Sequence, residues 1–322
     1  YYIILYMYLP IYISKYHIYD ICHNDNDNLI IISPAENKIL NIKYKDNIFY
    51  VNICPHKHTY IYVLKHKIDY EPEICINING NNIITKVNKY PEFKNEIIMS
   101  TIVCNEDNYI KQWILFHKNI GVKRFIIYDN SKKKTLENVL ADFINQHIVI
   151  LIDWAYPYRL KKTGFSGQTT QQNHSIWTFN NCKFIGLFDV DEYINLQCNT
   201  NINIFFNNLI QNNKINIEHI GSFRLLNKFF YNSQNLSTNG FDFLKIYNCN
   251  KINLKKHEKN FVIPKNVSTF SIHVITKGKR MYNVPHNKIY FNHYYFLNKL
   301  SRGRNKTNII DDSIQKHTHI FL

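Results

Sequence analysis

Three carboxylates stand close together at Asp189, Asp191 and Glu192, directly after the apolar run 184–188. An apolar run that ends in charge is typical of a buried strand whose carboxyl end emerges at a sheet edge, where open α/β sheets bind ligands. Because side chains alternate along a strand, Asp189 and Asp191 are predicted to point the same way. Two carboxylates aimed at one point suit a hard divalent cation with phosphate oxygens around it. A solvated acidic strand end explains the same short motif, so the spacing alone leaves both interpretations open.

The segments before this run place further polar groups at strand ends. Asn105 and Glu106 follow one apolar run, and Asp129 ends the next. The β-α-β-α-β order favours a parallel, doubly wound sheet, at whose edge these groups should converge with the acidic motif. The predicted strands are 97–103, 124–128 and 148–152, and the predicted helices are 109–120, 135–146 and 168–182.

The regions before and after this β-α-β segment have different sequence patterns. Residues 1–96 alternate short β-branched and aromatic runs with turn signals, which predicts a small β-rich domain without a chemical motif. Residues 1–13 are apolar but include Pro10 and are shorter than the ~20 residues that span a bilayer. They are interpreted as a strand or as part of a trimmed signal-anchor, so a membrane-associated location of the secretory type and a cytoplasmic one both stay open. Residues 199–310 look like an α+β half, with strands expected at 217–226, 241–247, 262–264, 269–274 and 288–296.

The composition and charge of the chain limit the classes of partner that it can bind. The chain has 322 residues, is 45% hydrophobic and carries a formal net charge of +15, so it can bury a sizeable core and favours anionic partners. The charge is dispersed and no nucleic-acid-binding signature accompanies it, which argues against nucleic acid. The seven cysteines form no C-x-x-C pair, which fits neither a disulfide scaffold nor a zinc site.

The order of several short motifs resembles glycosyltransferase family 92 and related family 2-like glycosyltransferases, over roughly residues 97 to 306. The matching positions are Cys104-Asn105-Glu106, Trp113, His117, Gly121-Val122, Phe125 to Asn130, Gln168, Asn173, His174, Asp189, Asp191, Glu192, Lys259 to Pro264, His273, His293-Tyr294 and Arg302-Gly303. Two departures are a short segment between His293 and Arg302, and Lys111-Gln112 where the family has an acid before its Trp. Reduced or altered activity is therefore an open alternative.

The resemblance implies an A-type (GT-A, Rossmann-like) nucleotide-sugar fold over 97–310, with a nucleotide-binding half at 97–198. It implies Mn²⁺ or Mg²⁺, a UDP-sugar donor, a glycan or other hydroxyl acceptor, and inverting transfer, with galactose as one candidate sugar. A cation held by the motif would neutralise the leaving diphosphate. The resemblance assigns the metal to Asp189, Asp191 and His293, and the nucleotide-sugar to Asn105, Glu106, Asp129, Gln168, Asn173, His174, Asp189, Arg302 and Arg304.

Each of these roles has a plainer alternative. Asn105 and Glu106 could cap a helix, and His174 could be a packed helix residue. His293 could be an ordinary strand-end histidine, and the two arginines could belong to a solvated basic tail. For the base that deprotonates the acceptor, Asp242 is the first candidate and Glu258 the second.

Two other function classes remain. A phosphatase of the haloacid dehalogenase type also has D-x-D after an apolar strand, but its second Asp is usually followed by a small residue or Thr, where this chain has Glu192-Tyr193. The motif also falls after three earlier strands here, which disfavours that class. The non-enzymatic alternative is a basic sugar- or nucleic-acid-binding protein descended from a transferase.

Overall fold

The structure is a computed structural model that describes residues 7–8, 10, 13, 18–24, 28–34, 42–53, 59–64, 69–159, 166–230, 244, 248–249, 257–294 and 309–318. Among these residues, no helix has the length and apolar character needed to cross a bilayer. A two-residue strand lies within the apolar stretch 1–13. Membrane association stays a prediction.

The elements are named in chain order. The strands before residue 97 are β1 (Met7–Tyr8), β2 (Asp20–His23), β3 (Leu29–Pro34), β4 (Ile42–Tyr44), β5 (Asn47–Ile48), β6 (Tyr50–Ile53), β7 (Thr59–Leu64), β8 (Glu73–Ile78), β9 (Asn81–Lys86) and β10 (Asn88–Lys89). The later strands are β11 (Ile97–Val103), β12 (Arg124–Asp129), β13 (Val149–Asp153), β14 (Phe184–Leu187), β15 (Glu192–Leu196), β16 (Ile220–Leu225), β17 (Asn227–Phe229), β18 (Asn248–Cys249), β19 (Lys259–Val262), β20 (Val267–Ser271), β21 (Val274–Gly278), β22 (Arg280–Asn283), β23 (Ile289–His293) and β24 (Ile309–Ile310). The helices are α1 (Asp107–Asn119), α2 (Leu136–Val139), α3 (Ala141–Asn145), α4 (Ser166–Thr178) and α5 (Ile202–Asn212).

The central sheet confirms the mixed α/β class. Its strand order is β1-β13-β12-β11-β14-β19-β16-β22, and β1, β13, β12, β11 and β14 are mutually parallel. The core strands are continuous apolar runs because helices or sheets cover both faces. Helices α1, α2, α3 and α5 contribute to the core on one face, and α4 with the N-terminal strands covers the other. The carboxyl ends of β11, β12, β13 and β14 therefore meet at one edge.

The N-terminal region folds into two small sheets, ordered β10-β2-β3-β7-β6 and β5-β4-β8-β9. Their pairings are antiparallel except that of β10 with β2. The first of these sheets shares a hydrophobic core with α4, in which Ile30 and Ile61 belong to the same cluster as Ile176 and Trp154. The division of the chain at residues 96 and 97 stays a prediction, and the packing across it is continuous.

Several predicted boundaries change. The predicted helix 135–146 is two short helices that meet at Leu140, whose torsions (φ −106°, ψ 9°) leave the helical region. The predicted strand 269–274 is a hairpin whose two turn residues are Ile272 and His273. The predicted strand 217–226 begins with the 3-10 turn Ile217–His219. The predicted strand 241–247 lies outside the described residues except for Leu244, which is not in a strand.

His117 joins α1 to β15 through both ring nitrogens. Nδ1 lies 2.8 Å from the Trp113 carbonyl oxygen, and the Ile194 backbone N–H donates to Nε2 at 3.3 Å. Only the neutral tautomer that carries its proton on Nδ1 satisfies both contacts. Burial lowers the pKa of His117 to about 3, despite the hydrogen bond to Trp113.

This histidine makes stability fall in mild acid. Its pKa is depressed in the folded state from 6.5 to about 3. Between these values the unfolded chain binds more protons, so the stabilisation is complete above pH 6.5 and is lost as the pH falls. One such group contributes a slope of up to about 1.4 kcal/mol per pH unit. Urea unfolding between pH 7.5 and pH 5 should show a smaller slope for His117→Gln than for wild type. The exposed-site variant His219→Gln should keep the wild-type slope, and equal slopes in all three proteins would contradict this role.

Candidate functional site

The acidic motif lies in a turn between two strands. Strand β14 ends at Leu187 and β15 begins at Glu192, so Asp189 and Asp191 are on neither strand. The turn is closed by the Glu192 N–H, which donates to the Asp189 carbonyl at 3.1 Å, and by the Asp189 N–H, which donates to Glu192 Oε2 at 2.9 Å. The prediction that strand alternation aims both aspartates at one point is therefore wrong, because the strand ends two residues too early. The two carboxylates have different partners.

Asp191, Glu192 and His293 form one cluster. Strands β15 and β23 pair antiparallel, with Glu192 directly opposite His293. Asp191 Oδ2 lies 3.3 Å from His293 Nε2, and Glu192 Oε1 lies 3.6 Å from His293 Nδ1. One ligand atom from each residue lies within 4.8 Å of the others. The Tyr294 N–H donates to the Asp191 carbonyl at 2.8 Å and fixes the turn against the end of β23.

The cluster fits a divalent cation. Around a small hard ion, ligand atoms about 2.1 Å from the metal are about 3 Å apart when adjacent and about 4.2 Å apart when opposite. Asp191 Oδ2 and His293 Nε2 are 3.3 Å apart, close to the spacing of adjacent ligands, and one ligand atom of each residue lies within 4.8 Å of the others. Glu192 Oε1 is buried and has no hydrogen-bond partner among the described residues, which is the state expected of a ligand oxygen. Carboxylate oxygens and a neutral imidazole together suit Mn²⁺ or Mg²⁺.

Asp189 has a partner of its own. Lys259, 2% exposed at the start of β19, places its Nζ 2.7 Å from Asp189 Oδ2 and 3.0 Å from Glu192 Oε2. Partial burial opposes ionisation of Asp189, but Lys259 outweighs it and lowers the pKa of that carboxyl. Burial likewise opposes the charge of Lys259, yet Asp189 and Glu192 raise its pKa above the ordinary value. Asp189 is thus paired with the buried Lys259 ammonium, while Asp191 belongs to the cluster with Glu192 and His293.

At Glu192, unlike at Asp189, the net shift of the pKa is upward. Burial raises the pKa of this carboxyl to about 7, and the Lys259 ammonium only partly offsets the effect. At His293, burial disfavours the charged ring, but Asp191 prevails and raises the pKa. With three carboxylates against one ammonium, the site carries a net charge of −2 when all are ionised and His293 is neutral. The site is therefore matched to a doubly charged cation.

A second polar group lies at the same sheet edge. The Asn105 N–H donates to Ser131 Oγ at 2.9 Å, and the Ser131 N–H donates to Asp129 Oδ1 at 2.8 Å. Lys134 Nζ lies 2.6 Å from Asp153 Oδ1 and 3.7 Å from Asp129 Oδ2. Asn105 itself is exposed, with a positive φ of 58°. The predicted convergence of the ends of β11, β12 and β13 is thus present in the structure.

The residues predicted on α4 separate into two groups. Gln168 lies beside the motif, with its Nε2 3.5 Å from Asp189 Oδ1. Asn173 is fully buried and bonds the Phe270 backbone, while His174 Nε2 lies 2.8 Å from Asp20 Oδ2 in a fully buried pair. The structure therefore gives Asn173 and His174 buried polar partners, and their role in donor binding stays a prediction.

Of the remaining predicted residues, Asp242, Arg302 and Arg304 lie outside the described part of the chain. Glu106 precedes α1 as its N-cap residue, without a side-chain cap hydrogen bond. The Glu258 carboxylate lies 3.7 Å from Arg224.

Sequence reasoning gave Glu192 no definite role and gave Lys259 none. The residues after Glu192 alternate as a strand, which could have placed Glu192 at a strand start, but its pairing with His293 is visible only in the structure. Lys259 was named only as the first residue of the matching segment that ends at Pro264. A lysine that opens a buried strand indicates an internal carboxylate partner, since such a charge is rarely buried unpaired.

Several known proteins are similar to this chain in sequence. A glycosyltransferase family 92 protein of Ricinus communis is 24% identical over 212 residues, which cover 63% of this chain and 35% of that protein. A family 92 protein of Arabidopsis thaliana is 26% identical over 117 residues, covering 36% of this chain and 19% of the relative. The chain thus spans about a third or less of the length of these relatives. The crystal structure of S. aureus TarS in complex with UDP is 17% identical with a TM-score of 0.30, covering 44% of this chain and 38% of that one.

The match to the family itself is broader. The model of glycosyltransferase family 92 matches residues 97–320, which include the central sheet from β11 onward, the acidic turn and His293. This range is more than half of the chain and confirms the resemblance drawn from the short motifs. The chain belongs to glycosyltransferase family 92.

Proposed function

We propose that this chain transfers a sugar from a UDP-sugar to a hydroxyl acceptor, with the help of a divalent cation held by Asp191, Glu192 and His293. The observation that carries the proposal is the cluster of these three side chains at the carboxyl edge of a parallel sheet. A cation there would supply charge neutralisation for the leaving diphosphate. Membership of family 92 supports the reaction class, and an A-type nucleotide-sugar fold is proposed with it.

The residues of the chain prepare this site. Lys259 holds Asp189 and Glu192 in fixed positions, so the turn is organised before a ligand arrives. Asn105, Asp129 and Lys134 lie at the ends of the neighbouring strands, where they are suited to hydrogen-bond a nucleoside. Gln168 and Tyr158, whose side chains are 3.0 Å apart, flank Asp189 from α4 and the loop before it.

Inverting transfer, galactose as the sugar, and Mn²⁺ as the preferred cation form the finer part of the proposal. They rest on the family resemblance. Arg302 and Arg304 are proposed as diphosphate-binding residues because forked guanidinium groups pair well with phosphate oxygens.

Isothermal titration with UDP, in the presence and absence of Mn²⁺, tests the proposal directly. We expect no measurable binding of UDP without the cation, which corresponds to an affinity at least about 10-fold, or about 1.4 kcal/mol, weaker than with Mn²⁺. EDTA should abolish binding and Mn²⁺ should restore it. The wild-type protein should then slowly hydrolyse at least one of UDP-galactose, UDP-glucose and UDP-N-acetylglucosamine. Failure of UDP to bind in the presence of Mn²⁺ would contradict the proposed function.

A further inference from the structure

We propose, on the basis of the function above, that His273 is the base that accepts the proton of the attacking hydroxyl. Asp242 lies outside the described residues, and the Glu258 carboxylate faces Arg224. His273 occupies the turn of the hairpin formed by β20 and β21, and the charges of Lys259 and Asp189 act on its ring.

The turn that presents His273 is strained. Ile272, the residue before it, has a φ of 46°. A β-branched residue in the left-handed region is a genuine outlier that costs on the order of 1–3 kcal/mol, and such strain clusters at functional sites. The surrounding structure holds the turn in place. Gln172 Nε2 donates to the Ile272 carbonyl at 3.4 Å, and Asn260 Nδ2 donates to the His273 carbonyl at 2.8 Å.

One hydrogen bond orients the imidazole. His273 Nδ1 lies 2.7 Å from the backbone carbonyl oxygen of Glu258. A carbonyl only accepts, so Nδ1 carries the proton and Nε2 is the nitrogen with the lone pair. This is the arrangement in which a second group orients a histidine base. Burial, assisted by the Lys259 charge, lowers the pKa of His273 to about 4, so the ring is neutral near pH 7.

Contacts on two sides connect His273 with the metal cluster. Asn260, which bonds the His273 carbonyl, is opposite Leu187 in the sheet, two residues before Asp189. On the other side, a row of ring contacts links His273 to His293. The ring centroids of His273 and His257 are 6.1 Å apart, those of His257 and Phe229 are 5.7 Å apart, and those of Phe229 and His293 are 4.9 Å apart. His257 also has a positive φ, of 65°. His273 and His293 are thus the two ends of one row of rings, and the positive charge of either imidazole would lower the pKa of Asp189.

In the proposed step, His273 Nε2 accepts one proton while the sugar moves from UDP to the acceptor oxygen. The acceptor oxygen attacks the anomeric carbon, and its O–H proton moves to His273 Nε2. The new C–O bond forms as the bond between the anomeric carbon and the diphosphate oxygen breaks, and UDP leaves with that electron pair. When water is the acceptor, the products are the free sugar, UDP and a proton. When azide is the acceptor, no proton is released and no base is required.

The variant His273→Asn tests this role, because Asn keeps a donor for the Glu258 carbonyl and lacks the second nitrogen. The substrate is whichever of the three UDP-sugars the wild type hydrolyses, with Mn²⁺ present. We expect hydrolysis by the variant to fall about 100-fold or more, as for loss of a general base. The formation of glycosyl azide in sodium azide and the Mn²⁺-dependent affinity for UDP should change by less than about threefold. The matched control is His286→Asn, at an exposed histidine.

The possible outcomes are distinct. If hydrolysis by the variant stays within threefold of wild type, the inference is wrong while the proposed function stands. If hydrolysis and azide transfer fall together, His273 positions the donor or the fold and is not the base. If the wild type binds no UDP with Mn²⁺, the proposed function fails, and the inference that rests on it fails too.

Discussion

Replacing Asp191 with Asn is expected to reduce Mn²⁺-dependent UDP binding by at least about 100-fold and to abolish donor hydrolysis. The substitution keeps the shape of the side chain but removes the charge that faces His293. A neutral amide is a poor ligand for a hard divalent cation. Changes to groups that merely support metal ligands already cost 10–100-fold, so loss of a direct ligand should cost at least that much. Titration with Mn²⁺ and UDP, followed by release of UDP from the UDP-sugar, measures both effects.

Two variants make this result specific. Asp142→Asn, at an exposed position on α3, should leave binding and hydrolysis unchanged. Asp189→Asn should weaken UDP binding less than Asp191→Asn does, because Asp189 is occupied by Lys259. The sequence prediction made Asp189 a metal ligand. A loss of Mn²⁺ affinity that is equal in the two variants would support that prediction, and full affinity in Asp191→Asn would place the cation elsewhere.

Replacing Lys259 with Met is expected to destabilise the protein by about 3–5 kcal/mol, the usual cost of removing one partner of a buried ion pair. Lys259 is 2% exposed and pairs with Asp189 and Glu192. Without the ammonium, Glu192 remains 1% exposed beside two aspartates. Urea unfolding at pH 8, above the Glu192 pKa of about 7 in the wild-type protein, measures the loss. Addition of Mn²⁺ should restore part of the stability, because the cation replaces the missing positive charge.

The double variant Lys259→Met, Glu192→Gln provides the internal test. If the cost comes from an uncompensated carboxylate, neutralising Glu192 should recover at least about 1 kcal/mol relative to Lys259→Met alone. The control Lys265→Met removes the exposed pair with Glu218, whose side chains are 53% and 63% exposed, and should cost less than about 1 kcal/mol. Equal costs at Lys259 and Lys265 would contradict the importance of the buried pair.

The parallel part of the fold could be predicted because its signals are local. The strands 97–103, 124–128 and 148–152 are apolar runs followed by polar residues, and the helix with Trp113 has clear periodicity. The structure reproduces them within one residue at the strand boundaries. The parallel direction of these strands followed from the β-α-β alternation. The broken helix at Leu140 has no comparable signal in the sequence.

The contacts within the site were harder to predict because they join distant segments. Glu192 and His293 meet across a strand pair 101 positions apart, and Lys259 reaches Asp189 from 70 positions away. Periodicity within a strand says nothing about such pairings. The alternation rule failed at Asp189 because it assumed that β14 continues to Asp191, although the chain turns after Leu187. The family resemblance pointed to this turn, and in the structure Asp191 lies with Glu192 and His293 while Asp189 pairs with Lys259.

The buried pair of Asp20 and His174 constrains the order in which the chain can fold. The two residues are 154 positions apart, and His174 stands on the helix α4 that covers β3 and β7. During synthesis the N-terminal strands emerge well before that helix, so their apolar faces stay uncovered until the helix is made. Contacts of such long sequence separation slow folding, and the uncovered apolar surface can form incorrect contacts in the meantime. The packing of α4 on these strands therefore makes correct folding of the nascent chain depend on when the helix becomes available.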